Sequence, residues 1–431
     1  MTCLASVPRG LIHATALSAL FTGVVMAQAP DANYDEAKVP AYVLPDPLTL
    51  ASGAPVKDGQ TWRSQRRAEI LRLFEQDVYG RSPGKPDGVK AETLEVEPRA
   101  LAGTATRKQV RILLTGRSDG PALDLLVYLP HPRKGPSPVF LGLNFGGNHT
   151  VHKDPAIRLA KGWVAKNEGA ADHRATDSAR GRDAGSWPIE TILSRGYGIA
   201  TAYYGDLEPD HPDAFKQSVR ARFGPGAAGK PSAEDWGAIG AWAWGLRRAL
   251  DYLETDRDVD ASKVALMGHS RLGKTALWAG AQDERFAIVI SNESGEGGAA
   301  LARRRFGETV ASITKAFPHW FAERFKEYSD REETLPVDSH MLLALMAPRP
   351  LYVASAQEDR WADPHGEFLA ARAAEPVYRL LGKDGLGVVE MPEPDTPVGA
   401  TIGYHVRRGP HGLTAYDWQQ YLAFADRHLR P

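Results

Sequence analysis

Cysteine is almost absent from this chain, because Cys3 is the only one among 431 residues. Cys3 lies in an N-terminal segment that we expect to be removed, which leaves a mature protein without a thiol. Such a protein has no disulfides, no cysteine nucleophile and no thiolate metal site. A chain of this length can bury a sizeable core without disulfides.

An excess of charge of either sign is also absent, since 52 Lys and Arg residues face 53 Asp and Glu residues. We therefore expect no nucleic-acid partner and no acidic tail. No apolar run of membrane-spanning length follows residue 26, so no membrane partner is expected after removal of the leader. The 10 tryptophans and 14 tyrosines suit a large core and equally a sugar-stacking surface. We expect a monomer.

The first residues have the layout of a secretory signal. Arg9 gives a positive start, residues 11–26 are apolar, and Val25-Met26-Ala27 is a small-residue cleavage site. The sequence predicts a signal peptide over 1–27 and export to the periplasm or the extracellular space.

Apolar segments alternate with helical patterns along most of the chain. Residues 28–60 are rich in Pro and Ala and predict an N-terminal arm, whereas 61–431 predict a single domain with an insertion near 152–188. The alternation predicts an α/β fold, a three-layer sandwich with a mostly parallel central sheet and inserted loops. Helices are predicted over 232–254 with Ser232 as N-cap, and over 312–328, 366–381 and 415–429.

The strongest functional signal is the stretch Gly268-His269-Ser270-Arg271-Leu272-Gly273-Lys274. An apolar run precedes it and a helix-forming run follows it, which is the layout of a nucleophile elbow. The glycines let the backbone turn without a Cβ clash, and the helix start supplies free N–H groups. Leu272 stands where G-x-S-x-G has its second glycine, and Gly273 follows. We predict that Ser270 is a nucleophile.

A serine hydroxyl needs a base, and the base needs a carboxylate that holds its tautomer. His411 lies between turn residues just before the last predicted helix, where an α/β-hydrolase has its histidine. His405 is the competing candidate, within a predicted strand. The acid stays open between Asp359 and Glu293, because each follows an apolar strand and both strands end at the same edge of the sheet.

Two further groups flank the predicted nucleophile. The N–H of Arg271 and the turn Asn144-Phe145-Gly146-Gly147 could supply an oxyanion hole, and the guanidinium of Arg271 adds a positive charge there. Lys274 lies one helical turn beyond Ser270, where it would meet polar oxygen atoms of a substrate or remain a solvated surface lysine.

Metals and cofactors are not expected. His149 and His152 are three residues apart, but no third ligand is near them and no H-E-x-x-H motif is present. Neither a Walker loop nor a convincing dinucleotide fingerprint occurs.

The elbow resembles the G-C-S-R-x-G-K motif of glucuronoyl esterases, the fifteenth carbohydrate esterase family, with His269 in place of Cys. Other segments are similar to that family as well: Glu293-Ser294-Gly295-Glu296-Gly297-Gly298, Phe317-Pro318-His319-Trp320-Phe321, Ala347-Pro348-Arg349-Pro350 and Glu358-Asp359-Arg360-Trp361-Ala362-Asp363-Pro364. The resemblance spans about residues 60–430. The joint pattern is far more specific than any single motif.

This resemblance implies a serine esterase with the α/β-hydrolase fold that needs no cofactor. Its substrate would be the ester between (4-O-methyl)glucuronic acid of glucuronoxylan and a lignin alcohol. By motif, Ser270 would be the nucleophile and His411 the base. Glu293 matches the acid of fungal members, and Asp359 a position that some bacterial members use or share.

The resemblance also implies roles for other residues. Arg271 would steady the oxyanion, and Lys274, Glu308 and Trp361 would bind the uronate. Segment 152–188 matches an insertion that walls the cleft in bacterial members, where Trp187 would face substrate. The alternatives are another secreted α/β-hydrolase, such as an acetyl xylan esterase or a serine peptidase, and a non-catalytic carbohydrate-binding relative.

Overall fold

The computed structural model describes residues 32–166, 169–223, 233 and 235–430. Within these residues one large sheet contains β1 (Lys90–Arg99), β2 (Ala105–Leu113), β3 (Ala122–Pro130), β4 (Ser137–Asn144), β7 (Gly198–Tyr203), β8 (Val259–His269), β9 (Ile288–Asn292), β10 (Leu351–Ala356), β11 (Val398–Gly399) and β12 (Ile402–Arg407). A separate hairpin consists of β5 (Ala170–Ala171) and β6 (Arg174–Ala175).

The strand order in the sheet is β1-β2-β3-β7-β4-β8-β9-β10-β12-β11. From β7 to β12 every neighbouring pair is parallel, whereas β1, β2, β3 and β11 pair antiparallel at the margins. The prediction of a mostly parallel sheet is confirmed.

Helices cover both faces of this sheet. Successive side chains of a strand point to opposite faces. In β8, Val264 and Leu266 accordingly join one core cluster with the helix Ala238–Leu253, and Ala265 and Met267 join a second with the helix Ala415–Leu429. The result is the predicted three-layer sandwich.

The α-helical segments are Gly59–Thr61, Arg67–Asp77, Ala100–Gly103 (a tight turn), Ile189–Ser194, Arg220–Phe223, Ala238–Leu253, Arg271–Gln282, Val310–Ala316, Ser339–Ala344, Pro364–Ala373, Glu375–Leu380 and Ala415–Leu429. The last one has the predicted bounds.

Three predicted helices are wrong in extent. The helix predicted from Ser232 begins at Ala238 with Gly237 as N-cap, because Asp235 is extended and forms a bridge with Arg81; Ser232 lies outside the described residues. The helix predicted over 312–328 ends at 316, ahead of Pro318, which cannot continue it, and a 3-10 segment covers 323–328. The helix predicted over 366–381 is two helices, because Pro376 starts a new one.

Two irregular segments lie against this framework. The arm is described from residue 32 and contacts the domain through Glu36, which pairs with Arg304, and through the Pro45 carbonyl, which accepts a hydrogen bond from His340. Segment 152–188 contains the β5–β6 hairpin and a 3-10 turn at Asp177–Ala179. The predicted signal peptide, 1–27, lies outside the described residues. No helix among the residues described here has the length and apolarity to cross a membrane.

Candidate active site

One cavity of about 550 Å³ opens at the carboxyl ends of β4, β8, β9, β10 and β12. A crevice at this edge is where open α/β sheets bind ligands. All eight residues predicted from the sequence line this cavity: Ser270, Arg271, Lys274, Glu293, Glu308, Asp359, Trp361 and His411. The fold therefore brings together side chains that are up to 141 positions apart in the chain.

The elbow has the strained geometry that its sequence predicts. Ser270 follows β8 directly and has φ 58° and ψ −130°, an unfavourable backbone conformation for a residue with a side chain. A Cβ at Gly268 would lie 1.9 Å from the Leu272 carbonyl oxygen, so this turn requires glycine there. Leu272 packs into the core with 1 % of its surface exposed, and Gly273 approaches Ser294 of the neighbouring loop. The shifted glycine is thus explained by packing.

His411 faces two carboxylates at once. Its Nδ1 lies 2.6 Å from Asp359 Oδ2 and 3.1 Å from Glu293 Oε2. Burial by itself lowers the pKa of His411, but the hydrogen bonds and negative charges of Asp359 and Glu293 outweigh it and raise the pKa above its ordinary value. Nε2, on the other side of the ring, is the atom left for proton exchange.

The two carboxylates differ in their other partners. Glu293 Oε1 accepts a 2.6 Å hydrogen bond from Arg407, and Oε2 accepts one from the Gly412 N–H at 2.8 Å. Arg407 also donates to the carbonyls of Pro410 and Gly412, on either side of His411. Asp359 is hydrogen-bonded through its side chain to His411. Glu293 therefore ties the loop as well as facing the imidazole.

His405 is not at the cavity. It is fully buried in β12, where its ring nitrogens contact Tyr352 and Asp417. Its role is structural, which removes it as a candidate base.

Two histidines and a glutamate near the elbow form the sole potential metal-ligating group found in the described part of the chain. His269, Glu293 and His411 have ligand atoms within 4.8 Å of one another, and His269 Nδ1 lies 2.5 Å from Asn292 Oδ1. The pair considered from the sequence does not belong to this group, because His152 contacts Glu190 and His149 is fully buried.

Arg271 carries its charge beside Ser270. As the first residue of the helix Arg271–Gln282, it has an N–H without an intrahelical partner. Its guanidinium lies 4.7 Å from the centre of the Trp320 ring and within 5.7 Å of those of Phe317 and Phe145. Aromatic faces attract a cation in this geometry.

The turn Asn144–Gly147, predicted to supply a second donor to the oxyanion hole, already uses one of its N–H groups. In the turn after β4, the Gly147 N–H donates to Asn144 Oδ1 at 2.8 Å, which leaves it committed to the turn. Phe145 lines the cavity, so this turn borders the elbow as predicted.

Lys274 is buried rather than solvated. Its Nζ donates to the Ser294 carbonyl and lies 3.9 Å from Glu308 Oε2. Burial lowers the pKa of Lys274 and raises the pKa of Glu308, and each charge partly offsets the effect on the other. Trp361 lies next to this pair, since the Glu308 N–H donates to its carbonyl. Together Lys274, Glu308 and Trp361 contribute polar groups and an indole ring to the cavity lining.

Segment 152–188 forms one wall of the cavity. The residues of this segment that line the cavity are Arg182, Asp183, Ser186 and Trp187. The ring centre of Trp187 lies 6.3 Å from that of Trp418. The predicted position of Trp187 at the cavity is therefore found in the structure.

Three residues near this site were not predicted from the sequence. Asp210 pairs with Arg271, and Glu367 accepts hydrogen bonds from the N–H groups of Ser294 and Gly295, next to Glu293. Neither lies in an elbow motif or beside a strand end, so no local pattern marks them. The third, Arg407, is the last residue of β12 and could have been suspected from its place four residues before His411.

The chain matches known proteins along most of its length. Residues 231–382 match a family model described as glucuronyl esterase, fungi. A curated carbohydrate esterase, MZ0003, from an unknown prokaryotic organism is 52 % identical over 407 residues, covering 94 % of each chain.

Solved structures give the same result. A glucuronoyl esterase from Solibacter usitatus has a TM-score of 0.87 at 52 % identity over 91 % of this chain and 99 % of its own. A CE15 glucuronoyl esterase from Teredinibacter turnerae has a TM-score of 0.79 at 33 % identity and covers 92 % of each chain. With this fold, this cavity and these relatives, the chain belongs to the glucuronoyl esterases of carbohydrate esterase family 15, which makes it a carboxylic ester hydrolase with the α/β-hydrolase fold.

Proposed function

We propose that this esterase hydrolyses the ester between (4-O-methyl)glucuronic acid of glucuronoxylan and a lignin alcohol. One observation carries the proposal: the same cavity is lined by an elbow serine with a carboxylate-bound histidine and by the buried Lys274–Glu308 pair. A uronate ester offers a carbonyl to the first and ring hydroxyls to the second. The names of the relatives, several of which are 4-O-methyl-glucuronoyl methylesterases, support the same substrate class.

Each residue around Ser270 has a separate role in the first step of the reaction. Ser270 Oγ attacks the uronoyl carbonyl carbon while His411 Nε2 takes its proton, and Asp359 and Glu293 stabilise the imidazolium. The N–H and the guanidinium of Arg271 stabilise the oxyanion.

Collapse of this intermediate breaks the bond to the alcohol oxygen, and His411 returns the proton to the leaving alcohol. Water, activated by the same imidazole, then attacks the acyl-enzyme and releases the uronic acid and free Ser270.

Lys274, Glu308 and Trp361 hold the sugar ring in this scheme. The ammonium donates hydrogen bonds to hydroxyl or ether oxygens, the carboxylate accepts from hydroxyls, and the indole covers an apolar face of the ring. No cofactor takes part.

The cellular setting is part of the proposal. Residues 1–27 would direct export and be removed after Ala27, and the mature enzyme would act as a monomer in the periplasm or outside the cell. N-terminal sequencing of the exported protein tests the first point, and sedimentation tests the second.

Steady-state kinetics test the substrate. We expect kcat/KM for benzyl glucuronate to exceed that for 4-nitrophenyl acetate and for acetylated xylan. Ser270→Ala should lower it by at least about 1,000-fold, while Ser262→Ala, at an exposed serine of the strand that precedes Ser270, should leave it unchanged. Preference for the acetyl esters would favour an acetyl xylan esterase, and binding of xylo-oligosaccharides without hydrolysis would indicate a non-catalytic relative.

A further inference from the structure

Asp210 is a buried carboxylate that lies behind the cavity and outside every motif in the sequence. It follows β7 and the 3-10 turn Tyr204–Asp206, and its side chain is 5 % exposed. A buried charge is costly unless it is paired and hydrogen-bonded. Its partners therefore indicate its role.

Both oxygens of Asp210 are engaged by groups around Arg271. Oδ1 accepts hydrogen bonds from Trp320 Nε1 at 2.7 Å and from His319 Nε2 at 2.8 Å. Oδ2 accepts one from Arg271 Nη1 and one from the Tyr204 hydroxyl at 3.3 Å. A single carboxylate thus fixes both the guanidinium and the indole on which that guanidinium lies.

Two contacts hold the guanidinium of Arg271, one at Nη1 and one on a face of the group. Nη1 is bound to Asp210, whereas Nε is buried and has no hydrogen-bond partner among the described residues. The ring of Trp320 covers one face of the guanidinium at 4.7 Å. The cation is therefore held in one orientation before substrate arrives, and preorganised charge is what stabilises a transition state effectively.

Asp210 is ionised at neutral pH. Burial by itself raises its pKa, but the hydrogen bonds of His319 and Trp320 and the charge of Arg271 outweigh burial and lower the pKa to about 2. The carboxylate is ionised at any pH at which His411 can act as a base.

We propose that Asp210 is a positioning residue for Arg271: it holds the guanidinium, through the shared contact with Trp320, in the orientation that stabilises the oxyanion. This proposal rests on the role of Arg271 given above. It requires that the effect of Asp210 on the reaction pass through Arg271, which distinguishes it from a merely structural ion pair.

A double-mutant cycle tests this dependence, with Asp210→Asn, Arg271→Met and the double variant assayed on benzyl glucuronate and on 4-nitrophenyl acetate. We expect Asp210→Asn to lower kcat by about 10- to 100-fold with a KM change below about 3-fold. In the Arg271→Met background the same substitution should change kcat by less than about 3-fold. Asp124→Asn is the matched control, because Asp124 forms a similar pair with Arg111 between β2 and β3.

Equal losses of kcat in the two backgrounds would overturn the proposal, as would an Asp210→Asn enzyme with unchanged kcat. Should Asp210→Asn not fold, Asp210→Glu gives the same cycle, since it keeps the charge and moves it by one methylene. Failure of the proposed substrate is separable: wild type would then hydrolyse 4-nitrophenyl acetate but not the glucuronate, and the cycle on the acetate would still decide the role of Asp210.

Discussion

Arg407 Nη2 lies 2.6 Å from Glu293 Oε1, so one of the two carboxylates beside His411 is already paired with a buried cation. The charge of Glu293 is shared between Arg407, the Gly412 N–H and His411, whereas Asp359 makes the shorter contact with His411. This asymmetry separates the contributions of the two acids.

We expect Asp359→Asn to impair catalysis more than Glu293→Gln. The first removes the closer carboxylate, and kcat/KM should fall by about 100-fold or more, while the second should cost about 10-fold. Glu293→Ala should in addition lower the melting temperature, because Arg407 loses one of its two buried carboxylate partners and keeps only Asp417. Steady-state kinetics and thermal denaturation of the three variants check this order. A larger kinetic loss in Glu293→Gln would assign the closer role to Glu293.

The pH dependence of the reaction follows from the same pair. His411 must be neutral to accept a proton, and the two carboxylates raise its pKa, so kcat/KM should rise with pH as His411 deprotonates. Removing one negative charge lowers that pKa. The ascending limb should therefore move to lower pH, by about 1 unit, in Asp359→Asn. A limb at the wild-type pH would show that Asp359 does not stabilise the imidazolium.

Lys274→Met should act on binding of the sugar. Lys274 is 4 % exposed and lies beside Glu308, so its loss removes a donor for the uronate and leaves Glu308 without its cation. We expect KM for benzyl glucuronate to rise by about 10-fold or more, with little change for 4-nitrophenyl acetate. Lys108→Met is the control, because Lys108 is a buried lysine paired with Asp256 away from the cavity. Equal effects on both esters would contradict a role in sugar recognition.

Gly268→Ala should destabilise the elbow. The added Cβ would lie 1.9 Å from the Leu272 carbonyl oxygen, and that backbone cannot move without displacing Ser270. We expect the free energy of unfolding to fall by about 1–3 kcal/mol or more and activity to fall with it. Gly84→Ala is the control, since nothing lies within 4 Å of a Cβ there. Urea denaturation of both variants gives the comparison, and similar values would show that the turn tolerates a side chain.

Glu367 should make stability depend on pH. Burial raises its pKa to about 8 from an ordinary value of 4.5, so folding favours its protonated form. The stability that this shift contributes to folding is therefore complete below about pH 4.5, and it is lost as the pH rises through 8. Between pH 5 and 8.5 the Glu367→Gln variant should lose less stability than wild type in urea denaturation. Identical slopes would mean that Glu367 does not titrate in this range.

The sequence predicted the parts of the fold and site that local patterns encode. The elbow at Ser270, the loop of His411 and the helix Ala415–Leu429 have strong signals in their turn residues and periodicity. Helix bounds failed where proline interrupts a periodic segment, as at Pro318 and Pro376. The role of Asp210 could not be predicted from the sequence, because it depends on the contact with Arg271. That residue comes 61 positions later, and only the folded chain brings the two together.

β9 and β10 are adjacent and parallel, with Asn292 level with Ala354, and the loops that follow these strands carry Glu293 and Asp359. Two independent anchor points for one imidazole give this architecture a built-in redundancy. A variant that loses either carboxylate would keep part of its activity. During evolution the role of orienting the histidine can therefore pass from the loop after one strand to the loop after its neighbour without an inactive enzyme in between.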